Sequence, residues 1–153
     1  MTPPCPLRLV LDTNVALSLW VFADSRFAAL LDLVRAGRLV ALTSPDCLAE
    51  FERVLAYPEF GLEQGRQRRI LADYAAIVQL VAAESTGPAL PQCRDGDDQK
   101  FLELARDGRA DYLLTSDKAL LKLSRHRRLS GRFRITTPEC FMGETSGGAS
   151  FLP

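Results

Sequence analysis

Short runs of consecutive apolar residues alternate along the chain with stretches whose apolar positions recur every three or four residues. "LRLVLD" is the first run and predicts a buried strand, Leu7 to Leu11. In "SRFAALLDLVRAG" the positions Phe27, Leu30, Leu31 and Val34 have helical spacing, with Ser25 placed to cap the start and Gly37 the end. "RLVALTS" predicts a second strand. "SPDCLAEFERVLAY" then opens like a helix, with Ser44 as N-cap, Pro45 at the first helical position and Asp46 in the first turn; Pro58 follows it. A long helical pattern covers 62–84, carried by Ile70, Tyr74, Ile77, Val78 and Val81, and "STGPALPQC" reads as a loop. Asp97 to Arg106 is helical and Gly108 ends it. "ADYLLTSD" predicts a third strand, "KALLKLS" a short helix, "RFRIT" a fourth strand and "TPECFM" a closing helical turn.

Strands that are continuous apolar runs, alternating with helices, predict a three-layer α/β/α domain with a mostly parallel central sheet. One such domain is expected over 1–142, followed by a flexible Gly/Ser-rich tail over 143–153. In sheets of this kind, sites form beyond the carboxyl ends of the strands. Asp12 follows "LVL" and Asp117 follows "LLTS", so both belong to the same edge of the sheet.

The length of 153 residues allows one self-sufficient core. No apolar run approaches the roughly 18 residues of a membrane span, and the start lacks the pattern of a secretory signal. Cys5, Cys47, Cys93 and Cys140 form no CxxC pair and read as reduced thiols of a cytoplasmic protein. Formal net charge is zero but unevenly spread. Acids crowd into Asp95 to Asp117, whereas Lys118 to Arg134 holds two lysines, five arginines and no acid. On charge alone the balance favours two solvated faces.

Each acid taken singly has an ordinary structural use. Asp12 and Asp117 are placed to cap the helices that follow them. Glu50 lies one turn before Val54, at the border of the stripe made by Leu48, Phe51, Val54 and Leu55, and could simply lie along that edge. Of the trio Asp95, Asp97 and Asp98, one cap and one acid favoured by the helix dipole account for two. Asp98, one turn before Leu102, sits on the inward side of its helix and is left over. Taken together, four separate segments deliver a carboxylate to one end of one sheet, where unpaired acids repel and raise one another's pKa. Hard oxygen donors without Cys or paired His select Mg²⁺ or Mn²⁺. Such an ion can activate a water toward a phosphodiester. Thr115 and Ser116 are placed to hydrogen-bond a carboxylate or a phosphate. No GxSxG elbow, P-loop or GxGxxG competes, and the chain has one histidine.

"LVLDTNV", the Glu50 of "SPDCLAEFERVL", "RDGDDQKFLELA" and "ADYLLTSDKALL" resemble, in order and spacing, the PIN-domain family. The nearest likeness is to the bacterial toxins of toxin–antitoxin systems, the VapC-like ribonucleases. The resemblance covers about Leu7 to Met142. It implies that Asp12, Glu50, Asp98 and Asp117 form an acidic centre for Mg²⁺ or Mn²⁺, supported by Asn14 and Thr115, with Asp95 as a further acid. The implied activity is metal-dependent endonucleolytic cleavage of RNA, leaving 5′-phosphate and 3′-hydroxyl ends. A homodimer and a small antitoxin partner are implied as well. Ala119 stands where this branch often carries another acid, which favours one metal, or a second ion arriving only with substrate.

In that setting Arg125, Arg127, Arg128 and Arg132 are candidates to hold the RNA backbone, with His126 beside them and Arg66, Arg68 and Arg69 as a second set. Trp20 and Phe22 are expected in the core or a dimer contact rather than stacked on bases. The alternative is a non-catalytic PIN-like module that binds RNA or protein. A phosphoacceptor receiver domain would need an acid pair near the first strand end, and a haloacid-dehalogenase-type phosphotransferase an Asp where Asn14 stands; both are disfavoured.

Overall fold

The computed structural model describes residues 5–82, 89–129 and 131–148. Among these, five parallel strands form one sheet in the order β3-β2-β1-β4-β5. The strands are β1 (Leu7–Leu11), β2 (Leu39–Thr43), β3 (Gln79–Leu80), β4 (Tyr112–Leu114) and β5 (Arg134–Thr136). The helices are α1 (Thr13–Trp20), α2 (Ala28–Arg35), α3 (Pro45–Leu55), α4 (Gln64–Ile77), α5 (Gln99–Asp107), α6 (Lys118–Leu121) and α7 (Pro138–Gly148).

Alternation along the strands divides the core in two. Leu9 and Leu11 of β1, Leu39 and Ala41 of β2 and Leu114 of β4 face one side. There they meet Val15, Leu19, Leu30, Phe51, Tyr74 and Phe141. Val10, Leu42, Leu113 and Ile135 face the other side, against Phe101, Leu102, Ala105, Leu120 and Leu129. Helices thus cover both faces, and the strands read as unbroken apolar runs because neither face meets water. Gly108, just past α5, lies close against the sheet. A Cβ there would lie 2.7 Å from Leu42 Cδ1 and 3.0 Å from the Leu104 carbonyl oxygen.

Four strands fall where the apolar runs predict them. The long helical pattern of 62–84 does not hold throughout: α4 ends at Ile77, and Gln79–Leu80 forms the edge strand β3, paired in parallel with Leu42 and Thr43. Positions 83 and 84 of that pattern, and 85–88 of the expected loop, lie outside the described residues. Asp24, not Ser25, provides the capping side chain ahead of α2, through a 3₁₀ turn over Ser25–Phe27. Gly37 ends α2 as expected, with φ of 76°. The closing turn is longer than its sequence suggests, since α7 continues to Gly148 and takes in the start of the presumed tail; 149–153 lie outside the described residues. Trp20 is buried, its indole N–H donating to Asp73, but Phe22 is 57% exposed and is not a core residue.

Going from β1 to β2 the chain moves one way across the sheet, and from β3 to β4 it crosses to the other side of β1. The carboxyl ends of β1 and β4, paired through Leu11 and Leu114, therefore border the crevice where the winding reverses. Asp12 and the segment Thr115–Asp117 begin there.

Candidate acidic metal centre

Asp12 ends β1 and caps α1. Its Oδ1 accepts from the Val15 amide at 2.9 Å, and its Oδ2 accepts from the Thr115 hydroxyl. Its own amide donates to the Leu114 carbonyl at 3.1 Å, which locks the end of β1 to the end of β4. Thr115 is fully buried, and its hydroxyl also accepts from the Asp117 amide at 3.0 Å. One hydroxyl thereby joins the two strand-end aspartates. Burial raises the Asp12 pKa above the usual carboxylate value, against the lowering effect of the Thr115 and Val15 bonds; Asp117 and Glu50 add repulsion.

Asp117 caps α6, accepting from the amides of Ala119 at 2.7 Å and Leu120 at 3.3 Å. Both bonds use Oδ1. Capping and a role in the site are compatible, because a carboxylate has a second oxygen to offer.

The acid trio separates. Asp95 caps the 3₁₀ turn Gly96–Asp98, accepting from the Asp97 amide at 3.0 Å. Asp97 is exposed and supplies no cap to α5; instead its carbonyl oxygen accepts from the Lys100 ammonium. Asp98 occupies the N-cap position of α5 without a side-chain cap bond. Desolvation, then repulsion from Asp117, Asp95 and Asp12, push its pKa up to about 6. Asp98 thus stands at the N-cap of α5, partly buried, rather than in the helix's first turn where its spacing from Leu102 predicts it.

Glu50, on α3, accepts at Oε2 from the Thr13 hydroxyl of α1. Its Oε1 lies 2.8 Å from Lys100 Nζ on α5 and 3.8 Å from an Arg53 guanidinium nitrogen. Lys100 and Thr13 were not singled out from sequence. Their partner is some 50 and 37 positions away respectively, beyond the reach of any helical spacing.

Asp12, Thr13, Asn14, Glu50, Asp95, Asp98 and Asp117 line one cleft of about 410 Å³. Arg53, Val54, Tyr57, Glu59, Phe60, Asp97 and Phe101 complete its lining. Ser116 is exposed and Asn14 stands exposed at the lip. The arginines predicted to hold RNA are not brought to this cleft. Arg125 and Arg132, with His126, Asp111 and Arg134, line a second groove of about 280 Å³. Arg134 opens β5 and Asp111 precedes β4, so that groove lies at the opposite edge of the sheet. Arg127 and Arg128 are exposed on a 3₁₀ turn beside it. Arg66, Arg68 and Arg69 are exposed on the first part of α4.

The donor chemistry of the cleft suits a hard divalent cation, being all oxygen, and the mutual repulsion at Asp12 and Asp98 is what such an ion would relieve. Among the described residues, no three His, Cys, Asp or Glu side chains stand close enough together to hold a metal as they are. Glu50 differs from the other acids in being paired with a cation of the protein's own, Lys100.

A model of the PIN domain matches residues 8–119, and the chain belongs to this family. It is also similar to an uncharacterised protein of Methanocaldococcus jannaschii, 28% identical over 142 residues, covering 90% of this chain and 91% of that protein. Membership indicates a nuclease-type fold, generally metal-dependent and acting on RNA. Among the described residues no helix is long and apolar enough to cross a membrane. All four cysteines are free.

Proposed function

We propose that the chain is a Mg²⁺- or Mn²⁺-dependent endoribonuclease whose centre is built by Asp12, Asp98 and Asp117 with Glu50 behind them. The observation that carries the reading is the position of Asp98. It makes no capping bond and lines a cleft at the sheet's switch point, where partial burial first, then repulsion from Asp117, Asp95 and Asp12, raises its pKa to about 6. A carboxyl so perturbed, in a cleft and beside other acids, marks a candidate functional site.

A divalent cation bound there would help water attack phosphorus in line and offset charge on the phosphate. The protein's own part is to orient the acids. Val15 and Thr115 fix both oxygens of Asp12, and the Asp117 amide bond to Thr115 sets the spacing of the two strand ends. Glu50, tied to Thr13 and Lys100, braces α1, α3 and α5 around the cleft. The products expected are 5′-phosphate and 3′-hydroxyl ends. On the resemblance to VapC-like ribonucleases, we extend the reading to a cytoplasmic toxin that acts as a homodimer and is neutralised by a small antitoxin. Arg125, Arg127, Arg128 and Arg132 would then bind RNA remote from the cut, at the other edge of the sheet.

The test is cleavage of labelled RNA by purified protein with Mn²⁺, with Mg²⁺ and with chelator. Wild type should cut only with metal, and Asp12→Asn and Asp98→Asn should lose at least about 100-fold in rate, the scale of losing a transition-state charge partner. Unchanged cutting by both variants would refute the assignment.

A second reading, a non-catalytic module, is favoured by Glu50. Both its oxygens are taken by Thr13 and Lys100, as in a site that keeps its charge without metal. It predicts RNA or protein binding with no response to Mn²⁺.

A further inference from the structure

The segment after α3 reads "YPEFG". Pro58 restricts the turn, Phe60 N–H donates to the Tyr57 carbonyl at 3.1 Å, and Gly61 N–H donates to that of Pro58 at 3.0 Å. Gly61, with φ of 58°, ends the turn in the left-handed region that favours glycine. This short 3₁₀ turn, Pro58–Phe60, fixes two aromatic rings. The Tyr57 and Phe60 planes are 3° apart with centroids 6.4 Å apart, and Phe22 packs against Phe60 at 5.7 Å. Tyr57 is 39% exposed and Phe22 57%, two of the three large apolar side chains left in water among the described residues.

The Tyr57 and Phe60 rings line the acidic cleft. Glu50, Arg53, Val54 and Tyr57 recur at helical spacing along one face of α3 and just beyond it, and all four line the cleft together with Phe60. Seven positions separate Glu50 from Tyr57, a rise of roughly 10 Å. The acids and the aromatic wall are therefore within one or two nucleotides of each other. Between them stands Arg53, its side chain 64% exposed and only 3.8 Å from Glu50.

We propose that Tyr57 and Phe60 form a base-stacking subsite, which takes an unpaired nucleobase of the strand whose phosphate is held at the acids. The proposal rests on the nuclease reading for the placement of that phosphate. A flat aromatic face open to solvent stacks any base without reading its edges, so the subsite selects unstacked bases rather than a sequence. Arg53 meets the backbone between base and centre. An apolar side chain of a protein partner fits the place less well. It would fill the aromatic wall and leave the facing carboxylates desolvated and without a countercharge. A nucleotide supplies both a ring for the wall and an anion for a metal-loaded centre.

The test is fluorescence anisotropy of an end-labelled single-stranded oligoribonucleotide with the full chain, Ca²⁺ replacing Mn²⁺ so that binding is read without cutting. Tyr57→Ala should weaken binding by about 10-fold, the loss of one stacked base. Tyr57→Phe should bind as wild type does, because it keeps the ring. An oligomer lacking bases should bind wild type and Tyr57→Ala alike. Circular dichroism checks that the variants fold, and Phe60→Leu gives a second, milder loss. Wild-type binding that is absent or indifferent to Tyr57→Ala overturns the proposal. So does equal loss in Tyr57→Phe. Sedimentation in which wild type is dimeric and Tyr57→Ala monomeric would instead assign the rings to contact with a second copy, and also overturns it. Tyr57-dependent binding without any Mn²⁺-dependent cutting would uphold the subsite and sink the nuclease reading; cutting untouched by Tyr57→Ala would do the reverse.

Discussion

Lys100 Nζ lies 2.8 Å from Glu50 Oε1, so the carboxylate that α3 brings to the cleft has a cation of the protein's own beside it. Both side chains are largely buried, at 17% and 15% exposure. Replacing Lys100 with Met keeps most of the apolar stem and removes the charge. Glu50 is then left with Thr13 and the more distant Arg53. The metal-free protein should lose about 1–2 kcal/mol, between an exposed pair and a buried one. The stabilisation given by Mn²⁺ should grow, because the cleft now carries one more uncompensated charge. Thermal melts with and without Mn²⁺ check both, and an unchanged metal-free melt would show that the pair is idle.

Asp98 sets a pH dependence. Its pKa rises from 3.8 to about 6 on folding, so between those values the folded chain holds more protons than the unfolded one. Stability in metal-free buffer must therefore fall as pH rises from about 4 to about 6, and level off above. Asp12, also raised, acts in the same sense. Asp98→Asn should flatten this decline and be more stable than wild type at neutral pH without metal. Mn²⁺ affinity should run the other way, weakening below about pH 6 as protons compete for the carboxylate. Urea denaturation across that range measures the first effect. A wild-type stability that climbs with pH over the window would contradict it.

Thr115→Val removes the hydroxyl shared by Asp12 and the Asp117 amide and keeps the shape. A loss of about 1–3 kcal/mol is expected, the cost of leaving buried polar groups unpaired. Cutting should also shift to higher pH, because Asp12 loses a donor that favours its charged form. Denaturation and a pH–rate profile test the pair of effects together.

Gly108→Ala separates fold from site. The new Cβ would overlap Leu42 Cδ1 and press on the Leu104 carbonyl, so overpacking should cost about 1–3 kcal/mol. Mn²⁺ affinity of the folded fraction should stay at the wild-type value, which calorimetry below the melting range can verify.

Much of this architecture is readable in the chain because it is local. Asp12 and Asp117 announce themselves by ending apolar runs, and Asp98 by lying one turn before Leu102. The edge strand was hidden because Ile77, Val78 and Val81 continue a helical spacing through it. Only the pairing of Gln79 and Leu80 with Leu42 and Thr43 makes it a strand. The brace on Glu50 was hidden for a related reason, since Thr13 and Lys100 meet it only after folding. Tyr57 could have been found: it lies seven residues after Glu50, on the same helical face. The arginines after Lys118 are neighbours of Asp117 in sequence only. The chain from α6 to β5 in fact carries them down to the opposite edge of the sheet.

Under the proposed function, a divalent cation joins acids that otherwise repel. Calorimetric titration of Mn²⁺ into wild type, Asp12→Asn and Asp98→Asn at neutral pH tests this most directly. Saturable binding by wild type, weakened at least about 10-fold in each variant, is the predicted result. No heat of binding to wild type, or equal binding by all three, would contradict it.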